Sequence, residues 1–468
     1  MAGLRRSRIS DASPIIRFIA FGMTLLASFG AAPVMGQSPV DQRLGQDEID
    51  LQGRSSIVLG AGARGLGMGG AFLARADDAT AASWNPAGLS YLLLPEISIV
   101  GAHNGFDTSS NSENSRARGT ILDFTAVTFP FRVRGVTGSA QVSYQRVIPF
   151  SGTRSIDRER GETKLEAQGG FDVIAFATGW RLSRRLRIGV ALNRWTNGFR
   201  QSLERPLTDF KYSRQQVDFT LRGFNTHIGI IVSPIDNLNF GAVAKTRFRG
   251  DVRLLKQRQD YYGTPGDPSQ STSNVLDRSD VTLELPAAWG VGVSWRVRSS
   301  LTISSDYTRT YWSKAWIRNF VTLGSTQPGS APPDPMTYAK LSYPLLINPE
   351  SNADSPQPFT EPTSSAANQL QADTEQLRFG IEYVIVSPRL QIPFRAGYLS
   401  DRQLFFARGK APRFNGFTAG TGLILGPVAI DAAFLYERGS FSDETYSKVT
   451  QKTRRVIFSL IYRHTACP

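Results

Sequence analysis

After residue 95 the chain carries fourteen runs in which apolar and polar residues alternate with period two, the mark of strands with one apolar face. In the last run Val456, Phe458, Leu460 and Tyr462 share a face, opposite Arg455, Ser459 and Arg463. In the eighth, Leu285, Ala287, Trp289, Val291, Val293 and Trp295 oppose Ala288, Gly290, Gly292 and Ser294. The tenth sets Leu377, Phe379, Ile381, Tyr383 and Ile385 against Arg378, Gly380 and Glu382, and the thirteenth sets Val428, Ile430, Ala432, Phe434 and Tyr436 against Asp431. The connections alternate in length. Short ones fall at 131–135, 181–184, 233–237, 297–299, 387–389 and 426–427, and long ones at 105–120, 149–169, 196–218, 249–280, 313–374, 401–413 and 439–451. Short turns on one side and long loops on the other are the habit of outer-membrane barrels. The pattern predicts an all-β fold, a 14-stranded antiparallel transmembrane β-barrel over 96–463, with a five-residue tail at 464–468. Aromatics near strand ends (Trp180, Trp195, Tyr311, Trp312, Tyr398 and Tyr462) are candidates for the interfacial girdles.

The N-terminus reads as an export signal over residues 1–36. Arg5, Arg6 and Arg8 precede an apolar stretch from Ile15 to Ala32, and Val34-Met35-Gly36 predicts cleavage before Gln37. The place expected for the mature protein is the outer membrane of a Gram-negative bacterium. The single cysteine, Cys467, allows neither an internal disulfide nor a thiolate metal site, and no cysteine follows the signal to carry a lipid anchor. The mature segment holds 49 basic and 38 acidic residues, a net charge of +11. The arginines are scattered along the chain rather than gathered on one element, which argues against nucleic acid. They suit outer-membrane lipid and lipopolysaccharide head groups, and codon bias explains them equally well.

Residues 37–95 read as a small, partly helical plug. Gly60-Ala61-Gly62-Ala63-Arg64-Gly65 imitates a dinucleotide fingerprint, but no βαβ context surrounds it, and no cofactor is expected. Asp77 or Asp78 can instead cap a short helix from Ala79 to about Trp84. Asn85-Pro86-Ala87-Gly88 then turns the chain, with Gly88 suited to a positive φ angle. The run Gly62 to Phe72, Ala76-Asp77-Asp78-Ala79-Thr80-Ala81 and Trp84-Asn85-Pro86-Ala87-Gly88-Leu89 resembles the plug of FadL/TodX-type outer-membrane transporters, and PorV-like barrels are the near neighbour. Leu285-Pro286 through Trp312-Ser313 resembles a strand pair of the same family. The resemblance implies passive uptake of hydrophobic compounds such as long-chain fatty acids or hydrocarbons, and the plug motif Asn85, Pro86, Ala87, Gly88 as its hatch. The alternative is a PorV-like barrel that binds secreted or surface proteins. Barrel assembly machinery is an expected partner. The chain departs from many such barrels by ending six residues after Tyr462 rather than on an aromatic residue.

Inward-facing charge supplies the candidate site. Arg187, Lys245, Arg378, Glu382, Arg395, Asp431 and Arg455, with Asn193 and Asp306, are placed in the lumen. They either pair across it as braces or hold a ligand carboxylate. The long connection 313–374 carries nine prolines, and within it Leu341, Tyr343, Leu345, Leu346 and Ile347 form a candidate outer groove. Gly138 is a candidate kink in the third strand. Enzyme activity is not expected, because the three histidines pair with no nucleophile and no G-x-S-x-G occurs.

Overall fold

The computed structural model describes residues 60–109, 114–149, 152–156, 163–208, 211–264, 267–314, 316–318, 338–340, 372–404, 410–442 and 448–464. The barrel strands are β1 (Glu96–Ser109), β2 (Asn114–Val133), β3 (Val136–Pro149), β4 (Thr163–Arg181), β5 (Leu186–Thr196, continued by Gly198–Thr208), β6 (Lys211–Ile235), β7 (Leu238–Lys245 and Phe248–Thr264), β8 (Asp267–Leu285 and Ala288–Arg298), β9 (Leu301–Thr310), β10 (Thr374–Ser387), β11 (Leu390–Arg402), β12 (Arg413–Leu425), β13 (Val428–Phe441) and β14 (Val449–Arg463). Each pairs antiparallel with its sequence neighbours, and β14 returns to β1 from Glu96↔Arg463 to Ser109↔Thr450. The result is a closed 14-stranded barrel, as the alternation predicts. Closure leaves no unpaired edge, which a sheet in hydrocarbon requires.

The pleat sorts the side chains. Phe176, Leu192, Phe417 and Phe458 point outward and are more than half exposed, while Ala177 and Ala191 beside two of them face inward and are fully buried. An outer surface carrying this much apolar area on every side is the lipid-facing belt of a membrane barrel. The six tight turns sit at one end, at 134–135, 182–185, 236–237, 299–300, 388–389 and 426–427. That end is periplasmic by the same rule. A cysteine replacing Asp236, in a Cys467→Ser background, is expected to resist a membrane-impermeant maleimide on intact cells. One replacing Ser440, at the opposite end, is expected to react. The reverse pattern would invert the orientation.

Several expectations need correction. The connections 105–120, 149–169, 196–218 and 249–280 are mostly strand: β1 and β2 run to within four residues of each other, residues 152–156 pair with the start of β4, and β5–β8 continue as hydrogen-bonded hairpins beyond the belt. Outside lipid those ladders have no apolar face to maintain, so the alternation that marks them disappears. Leu285 faces inward, not outward with Trp295. Pro286 and Ala287 leave the ladder between the two parts of β8, and the break resets the alternation. The same happens across the break at 246–247 in β7, where Lys245 and Phe248 both line the interior cavity. Trp195 and Trp312 are likewise inside the barrel, less than a tenth exposed, rather than in a girdle.

Residues 60–95 lie within the barrel. They form α1 (Ala63–Gly67), α2 (Ala81–Trp84) and a 3-10 turn, Pro86–Tyr91. α2 starts two residues later than its sequence predicts, with Thr80 at its N-cap. Asp78 instead accepts hydrogen bonds from the Thr80 backbone N–H (2.8 Å) and hydroxyl (2.6 Å), tying the turn before the helix. Gly88 is not among the positive-φ glycines. Its need is space, because a Cβ there would overlap the Ala76 carbonyl.

Candidate functional site

The inner segment is fastened to the wall on several sides. Asn85, fully buried, donates from Nδ2 to the carbonyls of Leu73 (2.9 Å), Ile230 on β6 (3.1 Å) and Ala242 on β7 (3.4 Å). Its Oδ1 accepts from Ala87 N–H at 3.1 Å, and Pro86 follows at the first position of the 3-10 turn, where a missing N–H costs nothing. Asp306 on β9 accepts from the N–H groups of Phe72 (2.6 Å) and Leu73 (2.7 Å) through one oxygen. Thr418 on β12 bonds Gly69 N–H and Gly67 C=O, both at 2.9 Å. Ser459 on β14 accepts from Ala63 N–H, and Gln141 on β3 donates to Ala79 C=O, both at 2.7 Å.

A buried charge cluster completes the attachment. Glu382 on β10 accepts from Arg395 (2.7 Å), Arg75 (2.5 Å) and Arg64 (3.3 Å). Arg395 also pairs with Asp431 at 2.6 Å, and Arg64 with Asp77 at 2.8 Å. Within the inner segment, burial and then the neighbouring Arg64 charge push the Arg75 pKa down. Burial pushes the Asp78 carboxyl up against the pull of Arg64. For Arg64 burial works against the charge, yet Asp77, Glu382 and Asp78 outweigh it and the group is held well above its ordinary range.

The lumen candidates divide accordingly. Glu382, Arg395 and Asp431 come together as one brace. Arg378 pairs with Asp401 at 2.8 Å, and Arg455 pairs with Asp123. Arg187 lies 4.0 Å over the Tyr91 ring and 3.3 Å from the Ser233 hydroxyl. Lys245 alone of the seven is in none of these braces. Sequence reasoning missed the partners Arg64, Arg75, Asp123 and Asp401, since only register shows which inward charges meet. The candidates Leu341, Tyr343, Leu345, Leu346 and Ile347 lie outside the described residues.

Above the inner segment is a cavity of about 90 Å³. Its walls are apolar, built from Val173, Trp195, Phe248, Leu285 and Trp312 among others, with Trp195 stacked on Phe248 at 5.0 Å between ring centres. One part is polar: Asn193, Asn225, His227 and Lys245 converge there. Trp195 Nε1 donates to Asn225 Oδ1 at 3.0 Å, which leaves Asn193 Nδ2 and His227 Nδ1 buried without partners among the described residues. Phe124 and Gln145 also line the cavity. They form the last pair in the β2–β3 ladder, so these strands part above that level. Gly138 lies well below the parting, within the paired ladder.

The BamG family model matches residues 63–326, from the first helix of the inner segment through the first nine barrel strands. The chain belongs to the BamG family. This family member also shares its fold with solved barrels at low sequence identity. A FadL homologue of Pseudomonas aeruginosa aligns over 86% of this chain and 98% of its own, with a TM-score of 0.57 and 12% identity. The toluene transporter TodX of P. putida aligns over 88% and 100%, with a TM-score of 0.54 and 12% identity. The toluene transporter TbuX of Ralstonia pickettii aligns over 87% and 99%, at 0.51 and 14%. No curated protein matches the sequence. With its closed barrel and apolar belt, this member of the BamG family is a protein of the Gram-negative outer membrane.

Proposed function

We propose that the protein is a passive outer-membrane channel for hydrophobic compounds that carry one acceptor head group, long-chain fatty acids being the type. The observation that carries this reading is the lumen cavity, with an apolar wall and a cluster of unused donors at one place. Lys245, Asn193 and His227 can each donate to a carboxylate, and an ammonium without a carboxylate partner gains most from one. The apolar walls suit an alkyl chain and the parted β2–β3 edge suits a sideways route to or from the cavity. In this reading Leu341 to Ile347 contribute an outer contact surface, residues 37–95 act as the hatch, and Asn85-Pro86-Ala87-Gly88 is its hinge on the wall. No nucleotide site is part of the scheme, so flow follows the gradient.

The test compares a long-chain fatty acid with toluene in uptake assays on protein-loaded liposomes. Lys245→Met is expected to slow fatty-acid uptake about tenfold, the weight of one charge-assisted hydrogen bond, while toluene uptake changes little. Equal losses for both compounds would remove Lys245 from head-group recognition. If neither compound enters faster with the protein than without it, the channel reading fails. The second reading, a barrel that binds secreted or surface proteins, would then stand. The strand hairpins of β5–β8 that rise beyond the belt favour it, because they offer a continuous outer sheet surface.

A further inference from the structure

Several arginines of the barrel are held in ion pairs, at both of its ends. Toward the outer end Arg200 pairs with Asp218 at 2.6 Å, Arg454 with Asp107 at 2.9 Å and Arg309 with Asp373 at 3.3 Å, and at the periplasmic end Arg463 pairs with Glu96 at 2.7 Å. At the periplasmic end, Arg134 in the β2–β3 turn and Arg184 and Arg185 in the β4–β5 turn are exposed, as are Arg132 and Arg181 at the ends of β2 and β4, which share the lumen-side face of Arg187 through Arg132↔Thr137, Thr137↔Arg181 and Arg181↔Arg187. None of the five is in an ion pair among the described residues, and neither turn contains a carboxylate. The two turns are neighbours, because β3 and β4 pair from Thr137↔Arg181 upward, and Phe131 meets Trp180 edge-on at 4.7 Å between them.

Two local features show that the arginines are held outward. The β2–β3 turn has positive φ at both central residues, 49° at Arg134 and 84° at Gly135. Such a turn favours Asn or Asp followed by Gly, so an arginine at its first position is kept against local preference. In the other turn Ser183 Oγ accepts from the N–H groups of Arg185 (3.2 Å) and Leu186 (3.1 Å), which closes the loop on itself and leaves the guanidinium groups to solvent. Next to them Val133 and Leu182 are each 49% exposed, at the lower margin of the apolar belt. Three unpaired guanidinium groups, those of Arg134, Arg184 and Arg185, thus stand where the hydrocarbon ends and lipid phosphates begin.

We propose that these two turns form a binding site for anionic phospholipid of the periplasmic leaflet. Val133 and Leu182 rest among the acyl chains, and the guanidinium groups, suited by shape to phosphate oxygens, hold one or two phosphodiester head groups. Charge complementarity and continuity with the belt both favour a lipid over a soluble anion.

The experiment places the full-length protein in nanodiscs of phosphatidylcholine with a minority of phosphatidylglycerol and counts retained lipids by native mass spectrometry. The wild type is expected to keep phosphatidylglycerol above its share, less so at high salt, and inorganic phosphate is not expected to displace it. A variant with Gln at positions 134, 184 and 185 is expected to lose that preference about tenfold or more, given several-fold per arginine near an anionic surface. Arg298→Gln with Arg389→Gln, exposed arginines in two other turns, should leave it intact. Arg184→Gln with Arg185→Gln alone, on the exposed loop, should give a partial loss should the threefold variant not assemble. Equal phosphatidylglycerol retention in wild type and variants overturns the proposal. So does displacement by inorganic phosphate, or loss of a co-purifying acidic protein from the variant while its lipid retention is unchanged.

Discussion

Glu382→Ala is expected to free the inner segment from the barrel without unfolding the barrel itself. Glu382 is 2% exposed and accepts from three guanidinium groups, two from the inner segment and one from β11. Its removal leaves Arg64, Arg75 and Arg395 close together, with Asp77, Asp78 and Asp431 their remaining partners. Breaking a buried pair by deleting one partner costs about 3–5 kcal/mol, since the survivor stays buried and uncompensated. The barrel ladder does not depend on this side chain: Glu382 pairs through its backbone with Thr302 and Arg395 whatever its side chain is. Heat-modifiable migration on a gel should therefore stay normal. Residues 60–95 should become open to protease from the periplasmic side, and ion conductance across a planar bilayer should rise. Glu382→Gln keeps an acceptor but not the charge and should fall between. A Glu382→Ala protein as protease-resistant and as electrically silent as the wild type would show that the hydrogen bonds at Asn85, Asp306, Thr418, Ser459 and Gln141 hold the segment without the charge cluster.

The barrel was legible because lipid enforces it. Wherever a strand crosses the belt, one face must be apolar, so Phe458, Leu460 and Tyr462 announce β14 without any help from tertiary structure. Where that requirement ends, the signal ends too. The outer parts of β5–β8 pair in long ladders interrupted by three register shifts, yet their residues read as long loops. Leu285 shows a second limit: a face assignment holds only while the ladder is unbroken, and Pro286 breaks it. Trp195 and Trp312 show a third. An aromatic at a strand end fits a girdle or a cavity wall equally well by position, and only the packing distinguishes them.

The inward charges were legible, but their pairing was not. Every inward charge named from the alternation does face the lumen, because parity decides that. Which charges meet is a matter of register and of where the inner segment lies. Asp123 sits in a plain run of β2 and gives no hint of Arg455, more than three hundred positions away. Arg64 and Arg75 belong to a glycine-rich stretch whose position inside the barrel no local pattern shows. The isolation of Lys245 follows only after the other charges have found partners.

Gly229→Val is expected to displace the Asn85-Pro86 corner from the wall. Gly229 lies on β6 facing inward, and a Cβ at that position would overlap Asn85 Oδ1 and press on the Pro86 ring. Valine is among the better strand formers, so local propensity favours the substitution and the loss arises from the contact across the lumen. Overpacking costs about 1–3 kcal/mol. A shifted Asn85 also loses its bonds to Leu73, Ile230 and Ala242, at about 1 kcal/mol each. Asn85→Ala separates the two effects by removing the hydrogen bonds without the overlap, and it should give the smaller change. Gly101→Val is the matching control: it lies in β1, where the nearest atom to a new Cβ is the Ile121 carbonyl at 3.9 Å. Limited proteolysis of residues 60–95 and fatty-acid uptake are the two readouts. Gly229→Val should change both strongly, Asn85→Ala should change both in part, and Gly101→Val should change neither. If Gly229→Val keeps the segment protected, the corner at Asn85 has slack that the close approach of Gly229 does not reveal. If it exposes the segment while uptake stays at the wild-type rate, the hatch does not control passage and the route runs through the parted edge of β2 and β3.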